Sequence, residues 1–222
     1  VFTTANELYL PVGRAVVARS PQRSASRSAV SVRCINSMTF TLRKATLADA
    51  APIERLIGES VRGLSRDYYT SAQIDAALGT AFGLDRTLIT DGTYFVAEAR
   101  SSIVGCGGCS RRKTLFGGDQ QPGREPALLD PARDAARVRA FFVRPDWARR
   151  GIGRAILSRC EQEATAEGFT RAELVATLVG HELYRAFGYA GDEPFEHALT
   201  DHVKIRFISM RKTFPNRSSD PA

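Results

Sequence analysis

No stretch of the sequence holds the ~18 consecutive apolar residues that a membrane-spanning helix requires, and no hydrophobic core of a secretory signal stands near its start. The expectation is therefore a cytoplasmic protein that does not engage a membrane. Histidine is scarce, with 3 residues in 222, and cysteine numbers 4. His181, His197 and His202 lie far along the chain from the one close cysteine pair, Cys106-x-x-Cys109, and no second pair exists to complete a metal or redox centre. Ile103-Val104-Gly105-Cys106-Gly107-Gly108-Cys109 reads as a strand, in which a separation of three sends the two thiols to opposite faces. These are structural cysteines, and no metal is expected. Cys160 sits on an apolar helical stripe, a packing position, and Cys34 lies near the N-terminus.

Acidic residues are missing from 11–37, a segment rich in arginine and serine. Residues 1–37 hold five arginines and one glutamate, so they carry +4 of the net +7 of the chain. What remains is close to balanced, and a basic surface for nucleic acid is not expected of it. The composition of 11–37 suits an organellar transit peptide and equally an extension upstream of the working domain. Either way it is expected to be disordered. Met38 then opens a strand-like run, Thr39-Phe40-Thr41-Leu42, and a domain is expected over 38–213, with a disordered tail over 214–222.

The richest stretch runs from Val138 to Leu157. Val138-Arg139-Ala140-Phe141-Phe142-Val143 is a β-branched and aromatic strand, Pro145-Asp146-Trp147 breaks it, and Gly151-Ile152-Gly153 opens a helix. Apolar residues at Ile152, Ile156, Leu157, Cys160 and Ala164 form the helical stripe, and Gly168 suits the C-terminal end. The first turn of a helix leaves backbone N–H groups unpaired and bears partial positive charge, which makes it an anion site. Glycines let the backbone close on a phosphate. Arg149, Arg150 and Arg154 crowd this end although the helix dipole disfavours cations there. That pattern suits a bound polyanion; solvated arginines on an ordinary helix are the bland alternative. The two familiar nucleotide motifs are absent. Gly153 is followed by Arg154-Ala155 where a P-loop needs Lys-Ser/Thr, and Ile156 stands where a dinucleotide fingerprint has its third glycine.

The stretch resembles motif A of the GNAT superfamily, the acyl-CoA-dependent N-acetyltransferases. Phe142-Val143 match the strand end, Pro145-Asp146-Trp147 the turn, and Gly151 and Gly153 the glycine positions. Ala148 departs from the Gln/Arg of the pattern, a place whose charge Arg149 and Arg150 can supply. Downstream, Leu183-Tyr184-Arg185-Ala186-Phe187-Gly188-Tyr189 resembles the tyrosine-bearing signature that follows motif A in the same enzymes. The rest of the chain reads in compatible order. A strand at 40–45 precedes a helix marked by Leu47, Ala50, Ile53, Leu56 and Ile57, and a second helix follows Thr70. Residues 94–99 and 103–109 form a hairpin around Arg100-Ser101-Ser102. A loop from Arg111 to near Arg137 exceeds the ~12–15 residues usual for connections, so it is expected to overhang a site or to move. Further strands follow at 172–177 and 203–210.

The resemblance implies an α/β (α+β) GNAT fold, a mixed central sheet splayed between strands at 137–143 and 171–176 with helices on both faces. It implies acetyl-CoA as co-substrate, its diphosphate on the backbone of Arg149, Arg150, Gly151, Ile152, Gly153 and Arg154, and its pantetheine arm along Phe142 and Val143. Val143 N–H is then the expected donor to the thioester carbonyl, and Tyr184 the acid that protonates the departing thiolate. Tyr68, Tyr69 and Glu98 are substrate-pocket candidates. Glu98, Glu173 and His181 are the candidates for a base, none singled out. The implied function is transfer of an acetyl group to a primary amine of a small molecule. Two alternatives stay open: a protein or peptide acceptor, and a non-catalytic acyl-CoA-binding module. A homodimer is compatible with the reading.

Overall fold

The computed structural model describes residues 39–215. The extension at 1–37 with Cys34, and the tail from 216, lie outside the described residues. Seven strands form one sheet in the order β1-β2-β3-β4-β5-β7-β6. They are β1 (Thr41–Lys44), β2 (Tyr94–Ala99), β3 (Ser102–Ser110), β4 (Ala136–Val143), β5 (Arg171–Thr177), β6 (Pro194–Ala198) and β7 (Lys204–Thr213). The mixed sheet and its helices are the α/β fold that the motif resemblance implies.

Local sequence explains the helices. In α1 (Ala50–Leu64), Ile53, Leu56, Ile57, Ser60 and Val61 are buried, the i, i+3, i+4, i+7, i+8 pattern of one face. The chain enters it through a tight turn in which the Asp49 carboxylate accepts from Thr46 N–H at 2.8 Å and is clamped twice by Arg43. α2 (Ser71–Ala77) starts at a reciprocal Thr70–Gln73 capping box. α3 (Arg86–Thr90) starts at Asp85, whose side chain accepts from Thr87 N–H. These helices cover one face of the sheet. α4 (Ile152–Ala166) and α5 (His181–Arg185) serve the other, and the predicted stripe of α4 is the buried one. α4 lies close on β3 because β3 presents glycine there: a Cβ on Gly107 would stand 2.9 Å from the Ile156 side chain. The Cys106 thiol joins one core and Cys109 the other, opposite faces as the strand spacing requires, and burial pushes both thiols up to about 12.

Two elements, α3 and β6, were not anticipated. Each is five residues long, too short for a periodic signal, and β6 takes its register from β7. Phe214, expected to begin the frayed tail, is 8% exposed and its N–H donates to Thr170 O.

The feature that positions a site is the middle of the sheet. β4 and β5 run parallel but pair only at Ala136↔Ala172 and Arg137↔Glu173. Beyond that point they part. On its other side β4 carries a bulge: Cys106 faces Phe142 and Gly108 faces Arg139, so Ala140 and Phe141 together oppose Gly107 alone. Ala140 sits at φ +59°, and the buried Tyr94 hydroxyl donates to its carbonyl at 3.0 Å. Bulges bend the strand that carries them, and this one falls just beyond the last residues that β4 pairs with β5.

Candidate active site

A cavity occupies the split. From the α4/α5 side Phe141 and Tyr184 line it, and from the α1–α3 side Phe82, Phe116, Phe142 and Phe207 do. Phe141 and Tyr184 meet edge to face with ring centroids 6.0 Å apart. Phe82 stands edge-on to both Phe142 and Phe207. Burial pushes the Tyr184 hydroxyl above its ordinary 10.0, so it holds its proton across the neutral range.

Phe116 reaches the cavity on the long loop after β3. That loop does overhang the site, and it is fastened rather than free. Thr114 N–H donates to Glu125 O and Leu129 N–H to Arg111 O, folding it back on itself. Arg139 secures it from β4. The Arg139 guanidinium donates to Thr114 O and Gly117 O and meets the Asp85 carboxylate at 2.7 Å, with side chains 2% and 1% exposed. Burial pulls Arg139 from 12.5 down to about 10, opposed by the charge of Asp85, so it remains a cation. Arg124 binds the other oxygen of Asp85 at 2.7 Å. Neither Asp85 nor Arg124 had a sequence signal, since each gains its meaning from partners far along the chain. The three basic residues that open the loop also find carboxylates: Arg111 meets Glu167, Arg112 meets Asp91 and Lys113 meets Glu125.

The turn before α4 lies at the open end of β4. Arg149 and Gly151 both have left-handed backbone, φ +62° and +84°, and Gly151 forms the helix start with no side-chain cap. The first intrahelical bond is Ala155 N–H to Gly151 O. The N–H groups of Ile152, Gly153 and Arg154 thus have no helical acceptor. Nothing lies within 4 Å of a Cβ placed on Gly151, so the space over the turn is open. The Ile152 side chain is buried, leaving its N–H as its contribution there. Two of the arginines are seated on rings, Arg150 over Trp147 and Arg154 over Phe187, each 5.1 Å from the centroid. These contacts hold cationic heads at a helix end where the dipole opposes them. The turn has the donors, the room and the charge for a diphosphate.

Other residues singled out in the sequence have partners or places of their own. Val143 N–H is not free: it donates to the Ser60 hydroxyl of α1 at 3.1 Å. Tyr69 is a brace between strands rather than part of the cavity wall. Its hydroxyl donates to Arg206 O at 2.7 Å and accepts from Leu178 N–H at 2.9 Å. Tyr68 is exposed. Glu98 lies two strands from β4 and is taken by Arg43 at 2.8 Å. Of the candidate bases, Glu173 pairs with Arg137 and His181 with Asp192. None of these residues lines the cavity. His197 carries no sequence signal because β6 is too short to show one; its ring stands edge-on to Phe116 at 4.9 Å, and burial lowers it below its ordinary 6.5.

Residues 59–189 match the family model described as Acetyltransferase (GNAT) family. Among curated proteins no sequence matches the chain. Solved structures resemble it in fold. A GCN5-related N-acetyltransferase from Rhodopseudomonas palustris is 20% identical at a TM-score of 0.60, over 79% of this chain and 96% of that one. A phosphinothricin acetyltransferase from Sinorhizobium meliloti, in complex with AcCoA, is 22% identical at a TM-score of 0.54, over 83% and 94%. The PaiA N-acetyltransferase from Thermoplasma acidophilum, in complex with coenzyme A, is 15% identical at a TM-score of 0.55, over 80% and 100%.

Proposed function

The chain belongs to the acetyltransferase (GNAT) family, and from that premise we propose that it transfers the acetyl group of acetyl-CoA to a primary amine of a small molecule, by direct attack with both substrates bound. The observation that carries the reading is the gap between β4 and β5, which opens beside the uncapped N-terminus of α4. In this reading the turn from Arg149 to Arg154 receives the diphosphate on its backbone N–H groups, and the side chains of Arg149, Arg150 and Arg154 add charge. Phe142 and Val143 offer strand backbone to the pantetheine arm, a strand-addition contact. Ser60 occupies the Val143 N–H until the thioester carbonyl takes its place, and the N–H then steadies charge on the carbonyl oxygen as the amine attacks. Tyr184 gives its proton to the thiolate as nitrogen bonds the acetyl carbon and the C–S bond breaks, and the proton that the nitrogen sheds on becoming an amide restores the Tyr184 hydroxyl. Its phenol is a weaker acid than an ordinary thiol at ~8.5. The departing thiolate loses water in the same cavity, which raises its own proton affinity and narrows the gap.

The test is thermal unfolding of the full chain with acetyl-CoA, CoA, NAD or ATP. Binding to the folded state alone at ~100 times the dissociation constant adds ~2.7 kcal/mol. Stabilisation by acetyl-CoA and CoA only is the expected result; no shift with either defeats the reading. Ser60→Ala checks the role of Val143. It leaves a backbone donor unpaired in the free protein, costing ~1 kcal/mol. If acetyl-CoA satisfies that donor, the variant binds it up to about fivefold more tightly, because the cost is recovered on binding. Calorimetry showing unchanged or weaker affinity removes Val143 N–H from the acyl site.

A further inference from the structure

We infer that the acceptor is a primary amine carried on an aromatic group and received in its uncharged form. The inference rests on the acetyltransferase reading of the cavity and concerns what its α1–α3 side selects. Four phenyl rings, Phe82, Phe116, Phe142 and Phe207, form that side. They meet one another edge to face or tilted, with centroids 5.6–6.4 Å apart, and an acceptor ring entering between β4 and β5 would contact them in the same way.

Charge points the same way. No carboxylate lines the cavity among the described residues, and its one ionic side chain is the Arg139 cation held by Asp85. A polyamine would bring further ammonium groups beside a like charge, and an amino sugar several hydroxyls where the lining side chains offer only those of Thr177 and Tyr184. His197, behind Phe116, is lowered by burial and stands neutral at pH 7, so it adds neither an anion nor a second cation. Glu98, Glu173 and His181, the base candidates of the sequence, are paired elsewhere. A cavity without a base on its walls favours an amine that arrives already deprotonated. Desolvation by the rings disfavours the ammonium form in the same direction.

The experiment compares acetyl transfer by the full chain to aniline, benzylamine and 2-phenylethylamine with transfer to spermidine and glucosamine. A second readout is calorimetric binding of N-acetyl-2-phenylethylamine in the presence of CoA. The expected result is kcat/KM about 100-fold higher for at least one aromatic amine than for either polar one, with measurable binding of the aromatic amide. Phe116→Ala is expected to cut kcat/KM for that amine about tenfold with acetyl-CoA affinity unchanged, and Phe116→Leu, which keeps apolar volume without the ring, to cut it less. Spermidine or glucosamine used as well as the aromatic amines overturns the inference. So does a chain that binds acetyl-CoA but neither acetylates the aromatic amines nor binds the amide. Failure to bind acetyl-CoA at all is a different result, which defeats the acetyltransferase reading itself.

Discussion

Tyr184→Phe is expected to lower kcat by about 10²–10⁴-fold, the range for removing a positioned general acid, while acetyl-CoA affinity and unfolding temperature stay near those of the parent. The ring is buried between Phe141 and Tyr189, with centroids 6.0 Å from each, and phenylalanine keeps both contacts. Only the hydroxyl goes, and burial rather than any hydrogen bond governs its ionisation. Packing therefore predicts almost no effect, and proton donation predicts a large one confined to turnover. The pH profile adds a check with a definite sign. Because the hydroxyl is raised above 10.0, the acid form is the resident form through pH 9, so no fall in rate below that pH belongs to Tyr184. A Phe variant as active as the parent removes Tyr184 from proton transfer, and a basic limb near pH 8 that persists in that variant belongs to another group.

The parts of the molecule that the sequence disclosed are those whose causes are local. The strand at 138–143, the proline turn and the α4 stripe follow from neighbours within one or two turns of chain, and the stripe residues Ile152, Ile156, Leu157, Cys160 and Ala164 are the buried ones. The hairpin around Arg100 and the opposite faces of Cys106 and Cys109 were legible for the same reason. The bulge at Ala140 was not, because alanine carries no mark of a left-handed backbone, and the strain is held by Tyr94 from 46 positions away. Tyr69 looked like a pocket residue beside Tyr68, yet its hydroxyl is spent on β7 and on the residue after β5. Ser60 read as one more position on α1 and proves to face Val143 across 83 positions. The glycine turn and Tyr184 sat in readable motifs, and the shape of the cavity beside them came from contacts that no local pattern records.

The largest effect on stability is expected from Asp85→Asn, about 3–5 kcal/mol, the cost of stripping the partner from a buried charge. Asparagine can still accept from Thr87 N–H and start α3, so the loss isolates the charge rather than the helix cap. Arg139 would keep its bonds to Thr114 O and Gly117 O, with its Nε already lacking a partner and no anion beside it. Arg124 would lose the same carboxylate. Arg139→Met in the Asp85→Asn background removes the stranded cation, and part of the lost stability should return, because a buried charge without its counter-ion costs more than a neutral side chain in its place. Urea unfolding of the two single variants and the double variant gives the coupling directly. Arg139 also ties down the loop that brings Phe116 to the cavity, so Asp85→Asn should weaken amine binding well below the unfolding midpoint while the α4 turn keeps its grip on acetyl-CoA. A cost under about 1 kcal/mol, the scale of an exposed pair, would mean that Asp85 and Arg139 do not face each other in a dry interior and that something else fastens the loop.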